Sequence, residues 1–90
     1  MHKFYDNLPL EAAAHIEQLS RLMYELRENR ARLLEQYACS DEDALLELIR
    51  AGRLDEHPAY EHYLSARVLA ETRDAIRAEL ADLLKEVRPE

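Results

Sequence analysis

Residues that interrupt helices are scarce in this chain, which has one glycine, Gly52, and three prolines, Pro9, Pro58 and Pro89. Because Gly and Pro most strongly end regular elements, the long intervals between them predict long uninterrupted elements. The composition favours helices for these elements: 48% of the residues are hydrophobic, with one Phe and no Trp, and Leu and Ala are the commonest apolar types. The sequence therefore predicts an all-α chain and opposes all-β and α/β classes.

The first long helix is predicted over residues 9–38, after an irregular lead over residues 1–8. Pro9 fits the first turn, where its missing amide proton costs nothing, with Asp6 or Asn7 near the N-cap. Apolar residues then recur at heptad spacing, which is typical of a packed helical seam. The seam residues are Ile16, Leu19, Met23, Leu26, Leu33 and Tyr37.

The second long helix is predicted over residues 57–88, because nothing interrupts it between Pro58 and Pro89. It carries a seam of the same kind. Leu64, Val68 and Leu84 broaden this seam, so that one antiparallel neighbour cannot cover all of its apolar surface. The predicted core and interface residues of this helix are Leu64, Leu69, Ile76, Leu80, Leu83 and Val87.

One arginine interrupts each seam, Arg30 in the first helix and Arg73 in the second. A buried unpaired charge is costly, so each side chain is expected to extend to solvent, to pair with an acid, or to set the register or select a partner. The spacing alone leaves these three interpretations open.

The connector, residues 40–57, contains six acids and two arginines. Ser40 is predicted to cap a short helix over residues 41–51, because three acids follow it where the helix end is positive. Gly52 fits the left-handed residue after that helix. The acids are accounted for by helix starts, although a docking site for a basic partner is an alternative.

The short helix should reverse the chain, so the two long helices should lie antiparallel, with Tyr37 near Tyr60 or Tyr63. The predicted architecture is thus an antiparallel helical hairpin of two long helices joined by a short helix, in one domain. A chain of 90 residues has little apolar surface to bury by itself. We therefore expect two copies to pair into a four-helix bundle.

The net charge of −7 opposes binding to nucleic acid, since no basic stripe exists. The single cysteine, Cys39, cannot form an intramolecular disulfide, which favours a reducing compartment. No stretch is long and apolar enough to suggest a membrane span or a secretory signal. The expectation is a cytoplasmic protein that binds neither nucleic acid nor membrane.

The residues that most resemble a reactive site are His57, Glu61 and His62, which are the weak candidates for metal ligands. His57 and Glu61 share a helix face, but His62 is turned about 100° from Glu61, so further ligands would have to come from another element or subunit. No other metal-ligand spacing, nucleophile–base arrangement or phosphate loop is present. Neither a metal nor another cofactor is expected, and no catalytic residue is predicted.

The sequence favours a non-enzymatic interaction protein: a small acidic homodimeric adaptor, or a chaperone-like or antitoxin-type partner of a more basic protein. A metal-binding or catalytic helical bundle that uses His57, Glu61 and His62 is the alternative. A transcriptional regulator is a second alternative, but acids stand where a recognition helix needs phosphate and base contacts.

Overall fold

The computed structural model describes the backbone of residues 2–87 and the side chains of residues 10–86. It contains three helices: α1 (His2–Glu35), α2 (Glu42–Arg50) and α3 (Glu56–Val87). The two long helices pack against each other, and no strand occurs in residues 2–87, which confirms the predicted all-α helical hairpin. The molecule is a rod with principal extents of 64 × 19 × 16 Å.

The core is a narrow seam between α1 and α3 that widens where α2 closes one end. At the closed end Leu34, Leu45, Tyr63 and Ala66 form one buried cluster. At the other end His15 of α1 lies 3.7 Å from Glu79 of α3. Small and apolar residues, which permit close helix packing, line the seam. The buried members outside the cluster are Ala12, Leu19, Ala59 and Ile76.

The start of α1 differs from the prediction, because the helix begins at His2 and includes most of the lead that was expected to be irregular. Residues 2–8 contain no glycine or proline. Pro9 therefore lies within the helix, where a proline removes one backbone hydrogen bond of the i→i−4 series. The side chains of Asp6 and Asn7, the candidate caps, lie outside the described residues.

The end of α1 also comes earlier than predicted, at Glu35 instead of residue 38. Ala38 adopts a left-handed conformation with φ of 55°. Its amide donates to the Glu35 carbonyl at 3.0 Å, and the Cys39 amide donates to the Leu34 carbonyl at 3.2 Å. These two bonds form the C-terminal motif of a helix in which the left-handed residue is usually glycine. Because residue 38 is alanine and not glycine, this end could not be predicted from the sequence.

The cap of α2 is Asp41, whereas the sequence predicted Ser40. The Asp41 backbone is extended, and its carboxylate accepts a hydrogen bond of 2.8 Å from the Ala44 amide. The helix consequently starts at Glu42, one residue late, and ends at Arg50. Both Ser and Asp are good caps, so residue type could not separate them.

Gly52 follows α2 in the left-handed conformation predicted for it, with φ of 73°. The chain then enters α3 at Glu56, but His57 is not helical, with φ of −108° and ψ of 118°. The regular helix therefore starts at Pro58, which is a favourable residue for a first turn.

The structure places most predicted seam residues between the helices. Leu19 and Ile76 are buried, and the others are half-buried apart from Leu64, which is 39% exposed and lies outside the seam. The Val87 side chain is outside the described residues. The half-buried seam residues are Ile16, Met23, Leu26, Leu33, Tyr37, Leu69, Leu80 and Leu83.

Candidate functional site

The short helix α2 is fixed to the hairpin by its apolar face. Leu45 is fully buried among Leu34, Tyr63 and Ala66, and Ile49 packs against the same cluster. Complete burial of one leucine side chain contributes about 2 kcal/mol of apolar transfer free energy. The packing of Leu45 therefore fixes α2 against α1 and α3 at the closed end.

Arg30, the charge in the first seam, pairs with Glu42 at the start of α2. The Arg30 Nε donates to both carboxylate oxygens at 3.2 Å, and Nη2 donates to Oε1. The two side chains are only 20% and 16% exposed. Of the three interpretations left open by the sequence, pairing with an acid is the one that the structure shows for Arg30.

The pairing changes the pKa of the Glu42 carboxyl. Burial alone would raise this pKa, but the Arg30 hydrogen bond, the Glu42 backbone amide and the charges of Arg30 and Arg73 outweigh burial and lower it. The pKa of Arg30 is raised, chiefly by its hydrogen bond to Glu42. Both groups are consequently charged across the neutral range.

The aromatic residues of the closed end contact one another and a histidine. The Tyr37 hydroxyl lies 2.6 Å from Nδ1 of His62. The rings of Tyr60 and Tyr63 stack with centroids 5.7 Å apart. Tyr63 is buried in the core cluster and Tyr37 packs against it, as expected for closure of a hairpin. Tyr60 is 45% exposed.

The three candidate metal ligands are separated by these contacts. His57 Nδ1 lies 3.0 Å from a Glu61 carboxylate oxygen, and these side chains are 82% and 58% exposed. His62 is instead engaged by Tyr37. Within the described part of the chain, no group of three or more His, Cys, Asp or Glu side chains is placed to hold a metal ion. The metal or catalytic alternative thus gains no geometric support.

Other reactive residues are also engaged in structural contacts. Cys39 is a free, half-buried thiol whose Sγ lies 3.5 Å from the Tyr37 carbonyl oxygen. Asp41, Glu42 and Asp43 crowd the start of α2, which opposes a phosphate contact by that helix. No described helix is long and apolar enough to cross a membrane.

A row of apolar side chains on α3 is exposed at the surface of the hairpin. Tyr60, Leu64 and Val68 are 45%, 39% and 58% exposed. Their spacing of four residues places them along one side of the helix. We call these three residues the apolar stripe. With Ser65 and Leu69, its Leu64 and Val68 also border a shallow groove of about 380 Å³.

The accessible surface of the whole chain is large for its mass. The hairpin exposes 6821 Å². A compact monomer of 10.5 kDa is expected to expose about 5,400 Å². The excess of about 1,400 Å² follows from packing only two long helices side by side. Contiguous apolar surface on such a rod commonly marks an interaction site.

Two features of this region were missed from the sequence. The partner of Arg30 could not be chosen among Asp41, Glu42 and Asp43, because the choice depends on the exact residue at which α2 begins. Leu64 was predicted to broaden the apolar face beyond the seam, but its exposure in the hairpin was missed. This exposure follows from its place four residues after Tyr60, on the side of α3 away from the buried Ala59, Tyr63 and Ala66.

The chain matches the model of one protein family, described as the Uncharacterized protein MJ0235 family, over residues 9–88, and it belongs to that family. No curated protein and no solved structure matches it.

Proposed function

Because membership of the uncharacterised MJ0235 family assigns no activity, we propose from the geometry that this chain is a non-enzymatic protein–protein interaction module that acts as a homodimer. The observation that carries the proposal is the apolar stripe of Tyr60, Leu64 and Val68, exposed beside a firmly closed hairpin end. An apolar row of this length on an amphipathic helix is the usual surface for pairing with another helix.

A second copy of the same chain fits the stripe because the stripe is symmetric about Leu64. In an antiparallel two-fold pairing of two α3 helices, Leu64 meets Leu64 of the second copy. Tyr60 then lies level with Val68 of the second copy, so each layer of the contact is apolar. Such a pairing joins two hairpins through their α3 helices, and each α1 lies on the far side of its own α3.

The excess surface is large enough for such a dimer. A stable interface buries about 800 Å² on each partner, and the hairpin exposes about 1,400 Å² more than a compact chain of its mass. The area therefore permits a standard interface and leaves surface for another partner.

The remaining surface suits a more basic protein, in the manner of a small adaptor, a chaperone-like partner or an antitoxin. The net charge is −7, and α2 begins with three consecutive acids, Asp41, Glu42 and Asp43. Complementary charge accelerates association and selects partners. The free Cys39 is consistent with a reducing compartment such as the cytoplasm.

The experiment introduces charge into the stripe. The double variant Leu64→Glu, Val68→Glu is expected to weaken self-association by about 100-fold or more, because the interface would have to desolvate four carboxylates per dimer. Sedimentation equilibrium over a concentration series measures the effect. Both positions are exposed in the hairpin, so the helical circular dichroism should be preserved.

The matched control is Ala78→Glu with Ala81→Glu, which adds the same charge at two exposed positions of α3 outside the stripe. This control should dimerise nearly as well as the parent chain. Equal self-association of the two double variants, or a monomeric parent chain at tens of micromolar, would overturn the proposal.

A further inference from the structure

A cleft between α1 and α3, distant from the stripe around the rod, gathers three arginines. Arg27 of α1 and Arg73 and Arg77 of α3 line a space of about 350 Å³, together with Ser20 and Tyr24. No acidic side chain is among the residues that line this cleft. In a protein with a net charge of −7, this is a local concentration of positive charge. We call it the arginine cleft.

The arginines of the cleft are weakly neutralised by the protein itself. No acid stands three or four positions from Arg27 or Arg73, so neither has a counterion at helical spacing. Arg77 has Asp74 only at 3.8 Å, and both side chains are more than half exposed. Such an exposed pair contributes little. The nearby Glu42 is hydrogen-bonded through both oxygens to Arg30.

Arg73 provides the second sign of a ligand. It interrupts the apolar seam of α3, and its Nε is buried without a hydrogen-bond partner among the described residues. A buried donor left unpaired costs free energy, so its presence needs an explanation. Unlike Arg30, which has Glu42, Arg73 lacks a partner for this donor within the described protein. An anion in the cleft would pair with the guanidinium of Arg73, which lines it.

The other lining residues define the kind of anion. Guanidinium groups match phosphate and carboxylate oxygens in paired hydrogen bonds, and three of them favour a dianionic group over a single carboxylate. Arg27 lies 5.5 Å from the ring centroid of Tyr24, and Met23 and Leu80 supply apolar walls. A volume of about 350 Å³ is in the range of small-molecule sites.

We propose that the arginine cleft binds a small phosphorylated organic molecule, with its phosphate on Arg27, Arg73 and Arg77 and its organic part against Tyr24, Met23 and Leu80. The proposed dimer leaves the cleft open. Arg73 and Arg77 each follow a stripe residue, Leu64 or Val68, by nine positions, which is about 180° around α3.

Phenyl phosphate is the probe that carries both chemical features, and the full chain is titrated with it at low ionic strength. The Arg side-chain Nε–H signals in a ¹H–¹⁵N correlation spectrum report binding. The Arg73 signal should shift in a saturable manner, and sodium chloride at the same ionic strength should not reproduce the shift. Linear drift of all signals, or an equal effect of chloride, would overturn the proposal.

Two double variants make the test specific. Arg27→Gln with Arg77→Gln, both at exposed positions, should weaken phenyl phosphate binding by at least about 10-fold, because two charged donors are lost. Arg21→Gln with Arg67→Gln removes one exposed arginine from each of the same helices, each paired with a neighbouring glutamate. This control should bind normally. Equal affinity in both double variants would contradict the site, whatever the oligomeric state.

Discussion

Arg30 is accommodated between the long helices because Glu42 compensates its charge. The pair is mostly enclosed, with side chains 20% and 16% exposed, so neither group could lose its partner without leaving a poorly solvated charge. The pair also links α2 to α1 at a point separate from the apolar contact of Leu45. The charged pair thus adds to the apolar contacts that hold the short helix in place.

Replacement of Glu42 by glutamine should lower the free energy of unfolding by about 1–2 kcal/mol at pH 7. The folded-state pKa of Glu42 is lowered, so its charge contributes stability above the unfolded pKa of about 4.3. That contribution disappears as the pH falls through the folded pKa. Urea denaturation of the parent chain and of Glu42→Gln at neutral and acidic pH measures the difference.

Glu47→Gln is the control for this effect, because the ion pair of Glu47 is weak. Its side chain is 73% exposed, and its carboxylate oxygen lies 3.6 Å from Nη1 of Arg50, which is beyond hydrogen-bond distance. Its replacement should change the free energy of unfolding by less than about 0.5 kcal/mol. A Glu42→Gln effect that is absent at pH 7, or is equally large in acid, would show that the pair does not stabilise the closed end.

Arg73 differs from Arg30: it lies in the second seam, and its buried Nε has no hydrogen-bond partner among the described residues. The sequence could indicate that Arg30 and Arg73 were exceptional, since each breaks an apolar heptad. It could not indicate that one pairs with Glu42 and the other lines a cleft, because that depends on where α2 docks.

The helices end in two similar turns, of which only one is visible in the sequence. After α2 the Gly52 amide donates to the Ile49 carbonyl and the Arg53 amide to the Leu48 carbonyl. After α1 the same pattern is formed around Ala38. Glycine marks a left-handed residue, so the turn after α2 was predicted and the turn after α1 was not. An alanine at this position carries strain that glycine would not.

The two turns should respond oppositely to substitution. Ala38→Gly should raise the free energy of unfolding by about 0.5–1 kcal/mol, because glycine relieves the left-handed strain. Gly52→Ala should lower it by about 1 kcal/mol. No heavy atom lies within 4 Å of a Cβ placed on Gly52, so that loss would come from conformation and not from a clash. Chemical denaturation gives both values.

Ala78→Gly provides the comparison in the middle of α3, where glycine should cost about 1 kcal/mol. If Ala38→Gly were destabilising to the same extent, then Ala38 would not occupy a left-handed turn in solution, and the end of α1 would lie elsewhere.

The rod shape of the whole molecule follows from two long helices and a short lid. The extents of 64 × 19 × 16 Å leave most residues at the surface. The hairpin class could be predicted because periodic apolar residues and sparse glycine and proline act over long stretches. The exact helix boundaries could not be predicted, because they depend on single capping hydrogen bonds, such as the bond from the Ala44 amide to the Asp41 carboxylate.

The candidate surface was only partly predictable for the same reason. The sequence showed that α3 has more apolar residues than one neighbour can cover. Leu64 and Val68 were predicted to broaden the seam, but the sequence did not show that both are exposed on the side of α3 away from α1. The rotation of α3 about its own axis decides which side chains face α1. Small buried residues such as Ala59 and Ala66 set this rotation, because they allow the two helices to approach closely.

The most direct measurement of two-fold pairing through the stripe is disulfide formation between copies. Leu64→Cys is made in a Cys39→Ser background, so that one thiol remains per chain. Paired helices with axes about 8–10 Å apart bring facing Cα atoms within disulfide range. Residue 78 lies fourteen positions after residue 64. In the antiparallel pair its two copies should therefore be about 42 Å apart along the helix axes.

Under mild oxidation, Leu64→Cys should therefore form a covalent dimer rapidly, as judged by non-reducing electrophoresis at micromolar protein, whereas Ala78→Cys in the same background should remain monomeric. Equal rates of cross-linking at the two positions, or no cross-linking at residue 64, would contradict the pairing of two hairpins through Tyr60, Leu64 and Val68.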